Sequence, residues 1–135
     1  MIEVYIDGSY TPSDNGAIGF GAVIYNNGIK QKRYGGKPPN QTNNNNVAEY
    51  LAAINTMELM EKECLTEEEI LIKADSKLVV NQLNGYWKIK KGDYVEYANR
   101  AKELVKKFSN LRFKWIPREE NLEADKLSRI YPEKK

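Results

Sequence analysis

The sequence predicts a single α/β domain, because segments with the hydrophobic period of a strand and segments with the period of a helix follow one another along the chain. Over residues 2–7, apolar and polar side chains alternate, which is typical of a strand with one buried face. Over residues 44–63, apolar side chains recur at the spacing of a helix with one buried side. The length of 135 residues fits one domain, residues 1–135, with a real core.

The first part of the chain is predicted to form three strands. The first strand is expected to end at Asp7, after which Gly8-Ser9 would turn the chain. The segment Asn26-Asn27-Gly28 favours a hairpin, because Asn-Gly accepts the positive φ of a tight turn. The glycine and proline cluster of residues 35–39 is expected to end the third strand. The second and third strands are expected over residues 18–25 and 29–34.

A long helix, a strand and a short helix are predicted next. The apolar run Ile70-Leu71-Ile72 indicates a buried strand that ends at Asp75. The short helix after it is expected to end at Gly85. The long helix is expected to bury Val47, Leu51, Ile54 and Met57.

A helix, a strand and a final helix complete the predicted order, β-β-β-α-β-α-α-β-α. Asp93, followed three residues later by Glu96, is typical of a capped helix start. Alternation over residues 111–115 predicts a fifth strand, which Pro117 would end. The last helix is expected from Glu119 or Asn121 to about Ile130.

Composition limits the chemistry that is open to this chain. Histidine is absent, which excludes serine–histidine and cysteine–histidine catalysis and every histidine-ligated metal site. The net charge is only +2, so nucleic-acid binding would depend on the local placement of lysines. No apolar run is long enough to span a membrane, and the first residues are typical of a strand and not of a signal peptide. The single cysteine, Cys64, fits a reducing cytoplasm and is expected to pack in the core.

Four carboxylates lie where predicted elements begin or end: Asp7, Glu49, Asp75 and Asp125. Acids at such positions can converge in space, and converging carboxylates repel one another unless a cation lies between them. Magnesium prefers oxygen ligands, so the four acids predict a metal-dependent active site. A plainer interpretation stays open for single residues. The helix dipole also favours an acid in a first helical turn, where Glu49 is expected, and spacing alone does not distinguish Asp125 from neighbouring acids.

Two further segments have both a structural and a binding interpretation. The asparagine run of residues 43–46 is compatible with a linker and helix cap, and also with side-chain amides that recognise a hydroxyl-bearing ligand. Trp87 is followed by Lys88, Lys90 and Lys91. This segment is compatible with a solvated loop that has one anchored indole, and equally with an aromatic ring among phosphate-binding lysines.

Four segments together resemble the signature blocks of type 1 ribonuclease H. Their order and the elements that carry them match, the resemblance covers essentially the whole chain, and it is strongest to the compact archaeal and bacterial branch. The resemblance implies a ribonuclease H-like α/β fold, with a five-stranded mixed sheet of order 3-2-1-4-5, strand 2 antiparallel and helices on both faces. The segments are Ile6-Asp7-Gly8-Ser9, Asn45-Asn46-Val47-Ala48-Glu49, Ala74-Asp75-Ser76 and Glu123-Ala124-Asp125-Lys126-Leu127-Ser128.

The resemblance also implies an activity, the hydrolysis of the RNA strand of RNA–DNA hybrids, which leaves 5′-phosphate and 3′-hydroxyl ends. By resemblance, Asp7 would bridge two Mg²⁺ ions, with Mn²⁺ as an alternative metal. Glu49 and Asp75 would complete the ion that activates water, and Asp125 would complete the ion that stabilises the leaving oxygen.

The substrate contacts that the resemblance implies are partly altered in this chain. Asn45 and Asn46 would contact RNA hydroxyls in the minor groove, where the 2′-hydroxyl distinguishes RNA from DNA. After the third acid the family often has a glutamine, and this chain has Lys77. Of the extended basic protrusion of some members, only the three lysines beside Trp87 remain, and the sequence shows no separate hybrid-binding domain.

The loop before the last helix departs from the family pattern. Many members carry a histidine there, which is thought to help proton transfer or product release. In this chain Arg118 is the candidate substitute. The alternative is a surface arginine that pairs with Glu119 or Glu120.

Three rival interpretations stay open at this point. One is a nuclease that also acts on double-stranded RNA, a second is a non-catalytic nucleic-acid-binding module, and a third is a domain excised from a reverse transcriptase. The second is disfavoured, because clustered acids near phosphates would not help binding. The start at Met1 and the charged tail of residues 133–135 favour a free-standing protein, which we expect to be a cytoplasmic monomer.

Overall fold

The elements of the computed structural model follow the predicted order. The structure describes residues 1–11, 16–37 and 43–130. Within these ranges, strands β1 to β5 span Ile2–Thr11, Ala17–Asn26, Ile29–Lys37, Glu69–Ala74 and Asn110–Trp115. Helices α1 to α4 span Asn45–Lys62, Lys77–Leu83, Val95–Val105 and Leu122–Ser128, and a 3-10 turn at Arg118–Glu120 precedes the last of them. No helix in the described part of the chain is long and apolar enough to cross a membrane.

The strands form one mixed sheet in the order β3-β2-β1-β4-β5. Strand β2 is antiparallel to β1 and β3, whereas β4 is parallel to β1 and β5, which confirms the predicted topology. The predicted hairpin is also confirmed, since Asn27-Gly28 has φ values of 51° and 80°. Pairing between β1 and β4 ends at Ile6 and Ala74. The next residues, Asp7 and Asp75, therefore lie just beyond the parallel pairing of the two central strands, on the side of the sheet where α/β folds place their sites.

The main core lies between one face of the sheet and helix α1. On β1, Ile2, Val4 and Ile6 alternate with less buried residues and are at most 4% exposed. Helix α1 is buried on the predicted side and on much of its remaining surface, because α3 packs against it from outside. Helix α4 packs against β1 and β2, where it contacts Gly19 and Gly21 from the opposite face. Helices therefore cover both faces, as expected.

Two predicted strand ends are wrong. Strand β1 does not turn after Asp7 but continues to Thr11, because residues 8–11 pair with residues 17–20 of β2. Strand β3 does not end before Gly35-Gly36, because both glycines pair with β2. The two prolines that follow lie outside the described residues. As a consequence, Asp7 is held in a continuous strand and not at a turn.

Three local predictions are also wrong. Asp93 does not cap α3, which begins at Val95 with no side-chain capping bond. Cys64 is exposed and not in the core, because it follows the C-cap of α1 and adopts a left-handed conformation with a φ of 61°. Of the two expected starts of the last helix, Glu119 is wrong, because a 3-10 turn spans Arg118–Glu120, whereas Asn121 is the N-cap of α4, which ends at Ser128.

Candidate active site

Three carboxylates meet where the parallel pairing of β1 and β4 ends. Carboxylate oxygens of Asp7, Glu49 and Asp75, one from each residue, lie within 4.8 Å of one another. Asp7 is 4% exposed, and its Oδ1 accepts a hydrogen bond from the backbone N–H of Gly8 at 2.9 Å. Oxygens around an octahedral magnesium ion are about 3 to 4 Å apart. Small side-chain adjustments would therefore allow the three residues to share a cation.

Glu49 reaches this cluster because α1 crosses β1 at very short distance. A Cβ atom on Gly8 would lie 2.2 Å from the carbonyl oxygen of Ala48, so only glycine permits this approach. The helix begins at Asn45, which places Glu49 in its second turn. The prediction of a first-turn position is therefore wrong, and the helix dipole is a weaker explanation for this acid, because the dipole acts mainly within the first turn.

Asp125 lies beside the three-residue cluster and not within it. Helix α4 packs closely on β2 at Gly21, where an added Cβ would lie 2.6 Å from the carbonyl oxygen of Ala124. The next residue, Asp125, is near enough to Asp7 to contribute to its raised pKa. Arg129 Nε donates to Asp125 Oδ1 at 3.1 Å and orients the carboxylate. The fold thus brings all four predicted acids to one region.

Burial and repulsion make the metal-free cluster electrostatically unfavourable. Burial, followed by the charge of Asp75, raises the pKa of Asp7 to about 7. Burial, followed by the charge of Asp7, also raises the pKa of Glu49 well above its usual range. Glu49 Oε2 is buried and has no hydrogen-bond donor among the described residues. A buried, unpaired carboxylate oxygen in an all-oxygen set fits a hard divalent cation such as Mg²⁺ or Mn²⁺.

Asn121 connects strand β1 to Asp75 at the site. It is 1% exposed. Its Nδ2 donates to the carbonyl oxygen of Ile6 at 2.8 Å and to Asp75 Oδ2 at 3.3 Å. The sequence indicated only a helix start at this position, and the side chain makes no capping bond. No local pattern could have shown this role, because its partners are distant in the chain.

Trp115 supports Asp75 from strand β5. Its Nε1 donates to the backbone carbonyl oxygen of Asp75 at 3.1 Å, and its ring is 40% exposed. The ammonium group of Lys77 lies 4.9 Å from the centre of the indole, within cation–π range. Lys77, an expected substrate contact, is exposed. The indole contact keeps its ammonium group near Asp75, two residues earlier in the chain. Alternation in the sequence identified Trp115 only as a strand residue.

The two interpretations of the asparagine run apply to different residues. Asn43 is buried, and its Nδ2 donates to the carbonyl oxygen of Gly16 at 2.7 Å. Asn44 caps α1 through its side-chain oxygen. Asn45 and Asn46 are exposed in the first turn of α1. The structural interpretation thus holds for the first two residues, and the last two are accessible to a ligand.

The expected basic segment forms an exposed loop after α2. Trp87 is 47% exposed, so its indole is not anchored in the core, and Lys88, Lys90 and Lys91 are exposed as well. The seven residues of α2 separate this loop from Asp75 by about 10 Å along the helix axis.

Arg118 lies in the 3-10 turn just before Asn121 and is exposed. Its guanidinium has no carboxylate within 4.0 Å in the described ranges, so the expected alternative pairing with Glu119 or Glu120 is not formed. The backbone N–H of Asn121 donates to the carbonyl oxygen of Arg118 at 2.9 Å. The backbone of Arg118 is thus tied to the residue that contacts Asp75.

The sheet order and the acids on its central strands define a ribonuclease H-like domain. The family model described as reverse transcriptase-like matches residues 5–130. The structure of RNase H1 from the halophilic archaeon Halobacterium salinarum is similar with a TM-score of 0.81 and 28% identity, and the match covers 96% of this chain and 95% of that one. LC11-RNase H1, isolated from compost and solved in complex with an RNA/DNA hybrid, is 31% identical with a TM-score of 0.68, covering 94% and 93%.

A curated relative, the bifunctional protein Rv2228c of Mycobacterium tuberculosis, is 34% identical over 113 residues. These residues are 84% of this chain and 30% of the relative, so the chain spans less than a third of that protein's length. The chain belongs to the type 1 ribonuclease H family of enzymes. The family and fold that the sequence motifs implied are thereby confirmed.

Proposed function

We propose that this protein is an endoribonuclease that hydrolyses the RNA strand of RNA–DNA hybrids with two divalent cations, Mg²⁺ by preference. The observation that carries the proposal is the partly buried cluster of Asp7, Glu49 and Asp75 with Asp125 beside it. Mutual repulsion makes such a cluster unfavourable unless a cation lies within it. The hybrid complex of LC11-RNase H1, a relative at 31% identity, supports the choice of substrate.

The four acids would divide two ions between them. Asp7 would help to hold both ions, because it lies close to both Asp75 and Asp125. Glu49 and Asp75 would complete one site, and Asp125 would complete the other. When bound, the ions supply an activated water and stabilise the charge on the departing 3′-oxygen, which leaves a 5′-phosphate on the other fragment. Asn121 would hold Asp75 in its orientation throughout.

The exposed residues around the cluster would contact the duplex. Asn45 and Asn46 present side-chain amides that would bind 2′-hydroxyls in the minor groove. Lys77 would bind the phosphate backbone next to the cleaved bond, and Trp87 would give a flat apolar contact. Arg118 would attract the scissile or departing phosphate by charge-assisted hydrogen bonds. The more distant phosphates would meet Lys88, Lys90 and Lys91.

Cleavage assays on end-labelled substrates test this function. RNA–DNA hybrid, double-stranded RNA and double-stranded DNA are each incubated with and without magnesium. We expect magnesium-dependent cleavage of the hybrid with 5′-phosphate products. Comparable cleavage of double-stranded RNA would contradict the assignment of the substrate, and cleavage in chelator would contradict the role of the cations.

The variant Asp75→Asn tests the chemistry of the cluster. It keeps the side-chain volume and removes one charged ligand, so we expect hybrid cleavage to fall by several orders of magnitude while hybrid binding survives. Glu119→Gln removes an exposed acid outside the cluster and is the matched control. Near-wild-type cleavage by Asp75→Asn in magnesium would exclude this residue as a ligand.

We also propose that the chain acts as a monomer. Its strands form one sheet, and the main core is enclosed by helices of the same chain. Light scattering of the purified protein would give the mass of one chain if this is correct.

A further inference from the structure

A buried polar network ties α1 to the exposed loop of residues 86–91, and the proposed chemistry gives this network no task. At its centre, Gln82 of α2 is 1% exposed. Its Oε1 accepts a hydrogen bond from the hydroxyl of Tyr50 in α1. Its Nε2 donates to the backbone carbonyl oxygen of Lys88 at 3.0 Å and to the hydroxyl oxygen of Tyr94 at 3.3 Å.

The network holds the loop backbone at two points. The first is the carbonyl group of Lys88, and the second is the N–H of Lys90, which donates to the hydroxyl of Tyr94 at 3.2 Å. Between them, Ile89 is half-buried and packs against the core. With the backbone fixed on both sides of an inward residue, the side chains of the two lysines are left in solvent.

We propose that Gln82 is a positioning residue for nucleic-acid binding, which sets the loop conformation in which Lys88 and Lys90 meet backbone phosphates. The inference rests on the proposed function and adds a residue to it. A buried glutamine is costly unless its amide group is fully hydrogen-bonded, and an apolar residue would fill the same space without that requirement. The bonds of its Nε2, directly and through Tyr94, end on the loop backbone, so the network restricts the loop rather than the core alone.

Three variants separate positioning from stability. Gln82→Met removes the amide at similar size, and Tyr94→Phe removes only the hydroxyl that holds Lys90. Thr56→Val is the matched control, because it also removes a buried hydroxyl, one that donates to the carbonyl oxygen of Ala52 within α1 at 2.8 Å. For hybrid cleavage, we expect Gln82→Met to raise KM about fivefold to tenfold with kcat within about twofold, and Thr56→Val to change neither.

A combined variant tests whether Gln82 acts through the lysines. In a Lys88→Ala/Lys90→Ala background, the additional change Gln82→Met should leave KM unchanged, because the groups that it positions are gone. The affinity for hybrid should also fall less steeply with rising salt concentration in Gln82→Met than in wild type, by up to about two released counterions. The proposal is overturned if Gln82→Met raises KM by the same factor in the Lys88→Ala/Lys90→Ala background as in wild type. It is also overturned if Thr56→Val raises KM as much as Gln82→Met does. If Gln82→Met does not fold, Tyr94→Phe takes its place in the same measurements of KM in the wild-type and Lys88→Ala/Lys90→Ala backgrounds.

Amide hydrogen exchange tests the anchoring without reference to any substrate. The N–H of Lys90 should exchange faster in Gln82→Met and in Tyr94→Phe than in wild type, and should be unchanged in Thr56→Val. Unchanged exchange in the first two variants would overturn the anchoring itself. Failure of the wild type to cleave hybrid would instead overturn the proposed function, so the two failures are distinguishable.

Discussion

Replacing Asp7 by asparagine should stabilise the metal-free protein although it should abolish the proposed activity. Burial, followed by the charge of Asp75, raises the pKa of Asp7 from 3.8 to about 7. A shift of about three units corresponds to roughly 4 kcal/mol, which is the upper limit of what the ionised carboxylate costs the fold. Asparagine has nearly the same shape and no charge. It also keeps the oxygen that accepts from Gly8.

The pH dependence of this effect has a definite sign. The native carboxyl group binds its proton more tightly than the unfolded one. Its contribution to stability is therefore complete below a pH of about 4 and is lost as the pH rises through about 7. The variant lacks this titration. We expect similar stability of both proteins near pH 4, and a gain for Asp7→Asn of about 2 to 4 kcal/mol at pH 8, on the order of 10 °C in Tm.

Thermal melts in chelator at several pH values measure this difference. Glu119→Gln, which removes an exposed carboxylate outside the cluster, should melt with the wild type. Added magnesium should stabilise the wild type more than Asp7→Asn and reduce the gap, because the ligand set of the variant is incomplete. Equal Tm values at pH 8 in chelator, or a gap that does not vary with pH, would refute the reasoning.

Three further results are expected. Gly8→Ala should lower the free energy of unfolding by about 1 to 3 kcal/mol and abolish cleavage. Gly28→Ala, with open space around the added Cβ, should affect only stability. Thermal melts and cleavage assays in which both variants lose the same activity would contradict this expectation. Replacing Asn45 and Asn46 by alanine should weaken hybrid binding more than DNA duplex binding, by roughly 0.5–1.5 kcal/mol per hydrogen bond, and equal losses would leave them without a role in sugar recognition. Single-turnover cleavage should fall in the order wild type, Arg118→Lys, Arg118→Ala with folding unchanged, since lysine keeps the charge and loses the fork; equal rates would make Arg118 an ordinary surface residue.

The local sequence pattern was sufficient to predict the order of the strands and helices, but it was insufficient to predict where two of the strands end. Alternation in residues 2–7 identified β1, because a strand with one buried face places apolar side chains at every second position. The continuation of β1 through Gly8 depends on pairing with β2, and glycine carries no local strand signal. The same holds for Gly35-Gly36 in β3. Long-range pairing overrode the turn preference of glycine at both places.

The candidate site shows the same division. All four acids could be predicted from motif and element type, and the structure brings oxygens of Asp7, Glu49 and Asp75 together with Asp125 beside them. Asn121 could not be placed, because its function depends on a contact with Ile6, which lies more than a hundred residues away in sequence. The indole of Trp115 is a similar case, since its partner is the backbone carbonyl group of Asp75, forty residues away in sequence. Residues that orient ligands depend on the assembled fold and leave little trace in local sequence.

The acids stand on a framework that does not depend on them. Val4, Ile6 and Ile72 are completely buried in the strands that lead to Asp7 and Asp75. Their packing stabilises the fold enough to offset the repulsion between the carboxylates. Changes at the acids should therefore alter the chemistry and leave the fold intact, whereas a change at Gly8 alters both, because the contact with α1 is part of the framework. The proposed cations would find the carboxylates of Asp7, Glu49 and Asp75 already close together. Binding then need not order the chain, and this preorganisation favours a metal site that is assembled before the substrate arrives.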